Sequence, residues 1–448
     1  MKKSLSIFLL SIMLLSFISI SQAEEQRTVT FWYSMSGVNG GVLQSLIDEF
    51  NENEGKEASI FVSGEYQGAY TAAQQKLTAA IIANNPAELP DIVQQGALTV
   101  ARMKSYSEVL TFETILSEFE TSMTRDMFVP NFLYASNIDN EAIGMPFASS
   151  TILLYYNKDA FIEVGLDPEV APKTLKELGE YCAKLNKKNE DGSIARYGIV
   201  LQPDSWFLSS WLCQQMTDVG HAYFADNHDG RVGGLATHTI FEEQETMKHF
   251  LEEYMAAYEV GSWKYLSEDD RGEFAAGTVA MFIGSTSSFY SVVGAVEDKF
   301  EWGCAAVPTV DDTCSGVAAG GSALYVMNRN DEQKIKDTIT FLEYLTSAET
   351  QYKWYAQTGY FPVNLATFES EELLARVQEY PQLQAAINQL LASEPTLQEP
   401  LINAVGLDGI LSDNIIDVIE GNQTIDECVR NMTEQLDAAI AEYLMTLE

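Results

Sequence analysis

The chain is poor in basic residues. Of its 448 residues only 26 are Lys or Arg, against 65 Asp or Glu, for a formal charge of −39. Nucleic-acid phosphates and anionic lipid heads both need clustered Lys and Arg, so the balance argues against either partner. The acid is spread along the chain, the pattern of a solvated surface rather than an acidic tail. Cysteine is also scarce: Cys182, Cys213, Cys304, Cys314 and Cys428 make an odd number, with no CxxC and no zinc spacing. GxSxG, HExxH and Walker motifs are absent, so the common signatures of hydrolases and nucleotide-binding proteins are missing. Residues 226–230 have the outline of a calcium loop, but Ala225 and Ala236 stand where its first and last ligands belong. The sequence therefore points to no metal, no cofactor and no catalytic group. His228 and His249 are read as surface residues.

After residue 23 no apolar run is long enough to span a bilayer. The one long run, residues 5–20, follows Lys2 and Lys3 and precedes Ser21-Gln22-Ala23. A basic start, an apolar middle and small residues at −3 and −1 make an export signal over residues 1–23. Cleavage after Ala23 would start the mature chain at Glu24 and, by removing two lysines, carry the charge from −39 to −41. No cysteine follows the cleavage point, so a lipid anchor is not expected. A soluble periplasmic protein is. In that oxidising compartment Cys304 and Cys314, which flank Pro308, are expected to form a disulfide.

What is present is an alternation of strands and helices. Strands are expected over 28–33, 58–62 and 91–93, with helices over 42–53 and 70–83. This βαβαβ order implies a largely parallel α/β sheet with ligands at the carboxyl ends of its strands. The chain is organised around 146–161: a proline turn, Ser149 and Ser150, a buried strand over 151–156, and Asn157 capping a helix near Ala160. Thr174 and Glu177 form a capping box for a helix reaching about Lys187. Further strands are expected over 196–201, 279–283 and 322–326, with helices over 206–216, 241–258, 333–347 and 349–357. Beyond a break at 358–363 the chain reads as mostly helical. Gly284 to Ser288 and Ala318 to Gly321 each offer free backbone N–H groups to an anion, and each is equally an ordinary turn. No linker separates the elements, so two lobes joined by short crossovers are expected.

The sequence of residues 146–161, with Gly165-Leu-Asp-Pro168 and Pro172-Lys-Thr174, resembles the extracellular solute-binding proteins of ABC importers, family 1. Within that family it is most similar to the sn-glycerol-3-phosphate-binding components. Phe31-Trp32, Ser34-Met35, Gly320-Gly321, Tyr325-Val-Met327, Thr358-Gly-Tyr360 and Asn422-Gln-Thr-Ile-Asp426 extend the likeness along nearly the whole mature chain. The resemblance implies a two-lobed periplasmic binding fold with an interlobe cleft. One lobe would combine 24–148 with 309–358, the other 149–308 with 359–448. It implies a monomer that delivers a glycerol phosphate or glycerophosphodiester to ABC permease membrane subunits, and no enzyme activity. By position, ligand contacts fall on Tyr70, Ser150, Trp206, Ser285, Gly321 and Tyr360.

Three of the family's contacts have no counterpart. A second tryptophan is replaced around Leu201 or Pro203, an acidic residue by the stretch Gln94-Gln95-Gly96-Ala97, and an arginine around Gly409, with no Lys or Arg between Arg376 and Arg430. These departures leave open a neutral carbohydrate or polyol as ligand. A secreted hydrolase, the alternative of another class, lacks a visible nucleophile, base or metal.

Overall fold

The structure, a computed structural model, describes residues 26–217, 220–402 and 406–446. The export signal lies outside the described residues. The principal strands are β1 (Arg27–Tyr33), β2 (Ile60–Tyr66), β3 (Ile92–Gly96), β4 (Met145–Ser150), β5 (Ile152–Asn157), β6 (Met281–Ser285), β7 (Trp302–Ala305) and β8 (Gly320–Met327).

A six-stranded sheet runs β2-β1-β3-β8 and on to the short strand Val109–Leu110, with β4 also paired to β8. β1 is parallel to β2 and β3, so the carboxyl ends of all three share one edge. β8 runs antiparallel to both β3 and β4. The expected parallel core is therefore present, but the sheet is mixed. β8 arrives from the far lobe and enters at the edge where β1 to β3 end, so its amino-terminal glycines lie there. The helix Gly37–Glu52 covers this sheet with Val42, Leu43, Leu46, Ile47 and Phe50, all buried. Phe50 meets Phe341 of the helix Glu332–Thr346 edge to face, with ring centroids 5.0 Å apart. Each such fully buried side chain stabilises by about 1.5–3 kcal/mol relative to an exposed one.

The second sheet is β6-β5-β7, antiparallel on both sides of β5. A single residue, Thr151, separates β4 in the first sheet from β5 in the second. What reads in sequence as a proline turn before one strand is thus two consecutive strands in two sheets. All residues of both are buried, Ser149 and Ser150 included. The chain crosses again between β7 and β8, and a third time after the helix Ala348–Thr358, where Phe361 donates its N–H to the Ser149 oxygen at 2.8 Å.

Other expectations need correction. Strand character is confined to Ile194–Arg196; Tyr197 and Val200 make isolated bridges to Val279 and Phe282. The helix expected from 241 begins at Thr246, after Glu245 adopts φ +58°. Cys304 and Cys314 are both free. Cys304 lies on β7 opposite Tyr155 and packs with the first hydrophobic core, whereas Cys314 is buried in the second. His249 is half-buried, its Nε2 2.8 Å from Asp311 Oδ2, while His228 is exposed and stacks on Tyr223. Among the described residues no helix is long and apolar enough to cross a membrane.

Candidate functional site

The edge where β1 to β3 end collects most of the residues singled out from sequence. Tyr70 is the first residue of the helix Tyr70–Ile82 and lays its ring over Gly96, the last residue of β3; a Cβ there would stand 3.4 Å from it. Burial pushes the Tyr70 phenol up to about 12, a hydrogen bond with the Ser322 side chain pulls it back, and Tyr360 adds to the rise. Ser322 is tied into the sheet: Gln94 Nε2 donates to its Oγ at 2.8 Å, and its Oγ donates to the Phe147 oxygen at 3.2 Å. Gln94 Oε1 in turn accepts the Ser34 N–H at 3.0 Å.

Gly320 and Gly321 open β8 opposite Ser150 and Ser149, with a register shift just after Gly321. Gly321 holds φ +122°, and a Cβ there would come within 2.3 Å of the Ala148 oxygen. Only glycine permits both that conformation and that approach of two strands. A Cβ on Gly320 would lie 2.7 Å from Trp206 Cζ2, so the indole is seated directly on the backbone. Trp206 Nε1 is buried and has no partner among the described residues.

Ser285 ends β6 and heads the turn Thr286–Ser288. Its Oγ accepts the Ser287 N–H at 3.2 Å and lies 2.9 Å from Ser287 Oγ. Tyr360 stacks on Trp354, with centroids 5.6 Å apart and planes 11° from parallel. Burial raises the Tyr360 phenol, and a hydrogen bond with the Ser287 side chain opposes the rise. Hydroxyls from the first sheet (Tyr70, Ser322) and the second (Ser285, Ser287) thus converge on Tyr360 and the glycine end of β8. Of the six expected residues, Tyr70, Ser285 and Tyr360 bring their hydroxyls here, Gly321 and Ser150 lie in the paired strands at the glycine end of β8, and Trp206 sits against Gly320. Ser322 and Ser287, which the sequence did not single out, hydrogen-bond the Tyr70 and Tyr360 phenols. The serines sit in runs, and which hydroxyl faces the ring depends on a bulge and a tight turn that composition does not encode.

The departures from the family pattern also have places. Leu201 is buried in the second core, while Pro203 lines a cavity of about 510 Å³ together with Asp204, Phe207, Asp270 and Asp408. A Cβ on Gly409 would meet nothing within 4 Å. Asp204 caps the helix Ser205–Cys213, accepting the Trp206 N–H at 2.9 Å. Burial raises its carboxyl, and nearby Asp408 adds to this. Burial, then Asp204, push Glu399 up to about 8, against the pull of Arg231. Arg231 itself is committed to carbonyl oxygens, Nη1 to Ala135 at 2.9 Å and Nη2 to Glu399 at 2.7 Å. The environment of Trp206 is thus acidic, which the sequence pattern did not reveal because Asp204, Glu399 and Asp408 are far apart along the chain. A larger cavity, about 680 Å³, lies elsewhere, between Ala171, Val307 and Cys314, and contains none of the six.

The family model described as bacterial extracellular solute-binding protein matches residues 45–385. The sn-glycerol-3-phosphate-binding periplasmic protein UgpB of Escherichia coli K12 is 28% identical over 389 residues, covering 84% of this chain and 83% of that protein. Among solved structures, UgpB of Mycobacterium tuberculosis in complex with glycerophosphocholine superposes with a TM-score of 0.72 at 19% identity, over 93% of this chain and 99% of that one. The sugar-binding protein MalE of Xanthomonas citri gives 0.72 at 20% identity, over 94% and 98%.

Proposed function

The chain belongs to the bacterial extracellular solute-binding proteins, and from that premise we propose that it captures sn-glycerol 3-phosphate or a glycerophosphodiester in the periplasm and hands it to the membrane subunits of an ABC importer. It acts as a monomer and without catalysis. The lobes are 24–148 with 309–358, and 149–308 with 359–448, a division supported by β8 joining the first sheet and β5 to β7 forming the second. The observation that carries the ligand reading is the hydroxyl ring. Tyr70, Ser150, Ser285 and Tyr360, with the Gly321 backbone, offer neutral hydrogen bonds to phosphate oxygens from both lobes. Trp206 covers the glycerol part, and loss of the second tryptophan, with Leu201 or Pro203 in its place, leaves room for a head group. Each neutral hydrogen bond is worth about 0.5–1.5 kcal/mol, so affinity is built from several modest contacts.

A neutral carbohydrate is the second reading. It is favoured by Phe207 and the carboxylates of Asp204 and Asp408 around one cavity, since apolar ring faces and acidic acceptors suit sugar hydroxyls. Calorimetry with sn-glycerol 3-phosphate, glycerophosphocholine and maltose separates the two. The phosphate esters are expected to bind and to remain intact afterwards. Ser150→Ala and Tyr360→Phe are each expected to weaken binding by about 0.5–1.5 kcal/mol. If maltose binds and both esters fail, the carbohydrate reading replaces this one; if the diester is hydrolysed, the non-catalytic assignment is wrong.

A further inference from the structure

A chain of formal charge −39 repels an anion at long range, so a phosphate-bearing solute needs a local cation. The arginine expected near Gly409 is absent, and the nearby guanidinium groups are engaged. Arg231 is spent on backbone carbonyls, Arg376 on Glu379 and Tyr290, and Arg196 on Glu163. Arg271 differs. It opens the helix region Asp270–Ala275, its side chain is about half exposed at 51%, and its Nε stands 4.0 Å from Asp270 Oδ1, at the outer limit of ion pairing.

Arg271 also lines a cavity of about 360 Å³ whose walls come from both sides of the molecule. Ser36 and Asn39 belong to the head of the helix Gly37–Glu52 on the first sheet; Ser287 and Ser288 follow β6 of the second. This cavity shares Ser287 with the hydroxyl ring and adjoins it through Thr358. Ser287 hydrogen-bonds Tyr360, and Thr358 Oγ1 accepts the Tyr360 N–H at 3.2 Å. Apart from Arg271 the polar groups lining it are neutral hydroxyls and amides, while Asp270, the neighbour of Arg271 in the chain, lines the separate 510 Å³ cavity.

We infer that Arg271 is the cationic contact for the phosphate group of the solute, in place of the arginine that the family carries near Gly409. This rests on the phosphate-ester reading above and deepens it. A guanidinium donates two parallel, charge-assisted hydrogen bonds to a phosphate, whereas a lysine at the same place supplies only a point charge. A ligand held this way loses affinity as salt rises, because an exposed ion pair is screened.

The test is calorimetry of wild type, Arg271→Ala and Arg271→Lys with sn-glycerol 3-phosphate and with maltose, at low and at high sodium chloride. Arg271→Ala is expected to weaken the phosphate ester by about 10- to 100-fold and to flatten its salt dependence, Arg271→Lys to fall between, and thermal stability to stay as in wild type. Wild type and Arg271→Ala binding the ester equally, with the same salt dependence, overturns the inference and leaves the ligand reading standing. Wild type binding maltose and no ester overturns the ligand reading. Arg271 is then judged on inorganic phosphate by ³¹P line broadening: broadening by wild type and not by Arg271→Ala retains the anion site, and equal spectra remove it.

Discussion

Asp229 shows how far a single side chain's surroundings set its chemistry. It is 3% exposed, and burial pushes its carboxyl from 3.8 up to about 7, although the Ala225 N–H at 2.7 Å and the charge of Arg231 both hold it down. Below about pH 4 the group is protonated in the folded and the unfolded chain alike. Between about 4 and 7 the unfolded chain releases the proton and the folded chain keeps it, so stability from this group falls as pH rises, and it is level above 7. Asp229→Asn is therefore expected to be most stabilising, relative to wild type, at pH 8 and least at pH 4, measured by urea unfolding at both. A difference that stays constant with pH would show that Asp229 is ionised throughout. Residue chemistry at the cleft was only partly legible in sequence. Tyr70, Ser150, Ser285, Gly321 and Tyr360 stand as candidates from motif resemblance, but nothing local announces that Asp204, Glu399 and Asp408 share one neighbourhood or that Arg231 is consumed by carbonyl oxygens.

At the scale of elements, the readings that succeeded were local ones. Thr174 caps the helix Leu175–Leu185 as expected, its Oγ1 accepting the Glu177 N–H at 3.2 Å, while Glu177 Oε2 reaches back to the Lys173 N–H at 2.7 Å. Such caps need only four residues, so sequence suffices. The strand over 196–201 failed because its pairing partners, Val279 and Phe282, are some eighty residues away and offer only isolated bridges. The same distance problem hid the antiparallel entry of β8, since strand direction is settled by where a crossover lands. The element most exposed to a single change is the β4–β8 pair. Gly321→Ala would force a Cβ to 2.3 Å from the Ala148 oxygen at φ +122°. The expected cost is about 2–4 kcal/mol, seen as a lower urea midpoint, with the larger loss in ligand affinity because Ser149 and Ser150 shift with the strand. Wild-type stability and affinity in that variant would mean that the two strands can separate without consequence.

Across the whole molecule, the three crossings at Thr151, between β7 and β8, and at Gly359 place the joints between the two sheets at the floor of the cleft, beside the hydroxyl ring. Residues of one hydrophobic core run from β1 through Phe361 and Val363 to β5, so the lobes are coupled by packed side chains as well as by chain. At the rim the contact is lighter. Arg102, in the helix Val100–Ser105, donates from Nη2 to Thr446 Oγ1 at 3.0 Å and lies over the Tyr443 ring at 5.4 Å, linking that helix to the carboxyl-terminal one, Ile425–Met445, which the proposed division puts in the other lobe. An exposed contact of this kind is worth only about 0.2–1 kcal/mol, which suits a joint that must open and close. A ligand held as proposed, by hydroxyls from both lobes, can shift that balance only by binding the closed arrangement better than the open one. We therefore expect small-angle scattering to give a smaller radius of gyration with saturating sn-glycerol 3-phosphate than without it. Arg102→Ala should enlarge the ligand-free radius, leave the liganded one unchanged, and weaken affinity by no more than about fivefold, the equivalent of about 1 kcal/mol. A radius indifferent to ligand would rule out closure as the means of capture. A radius that responds to ligand but not to Arg102→Ala would move the control of opening from the rim to the packed floor, where Phe361 and Val363 become the residues to change.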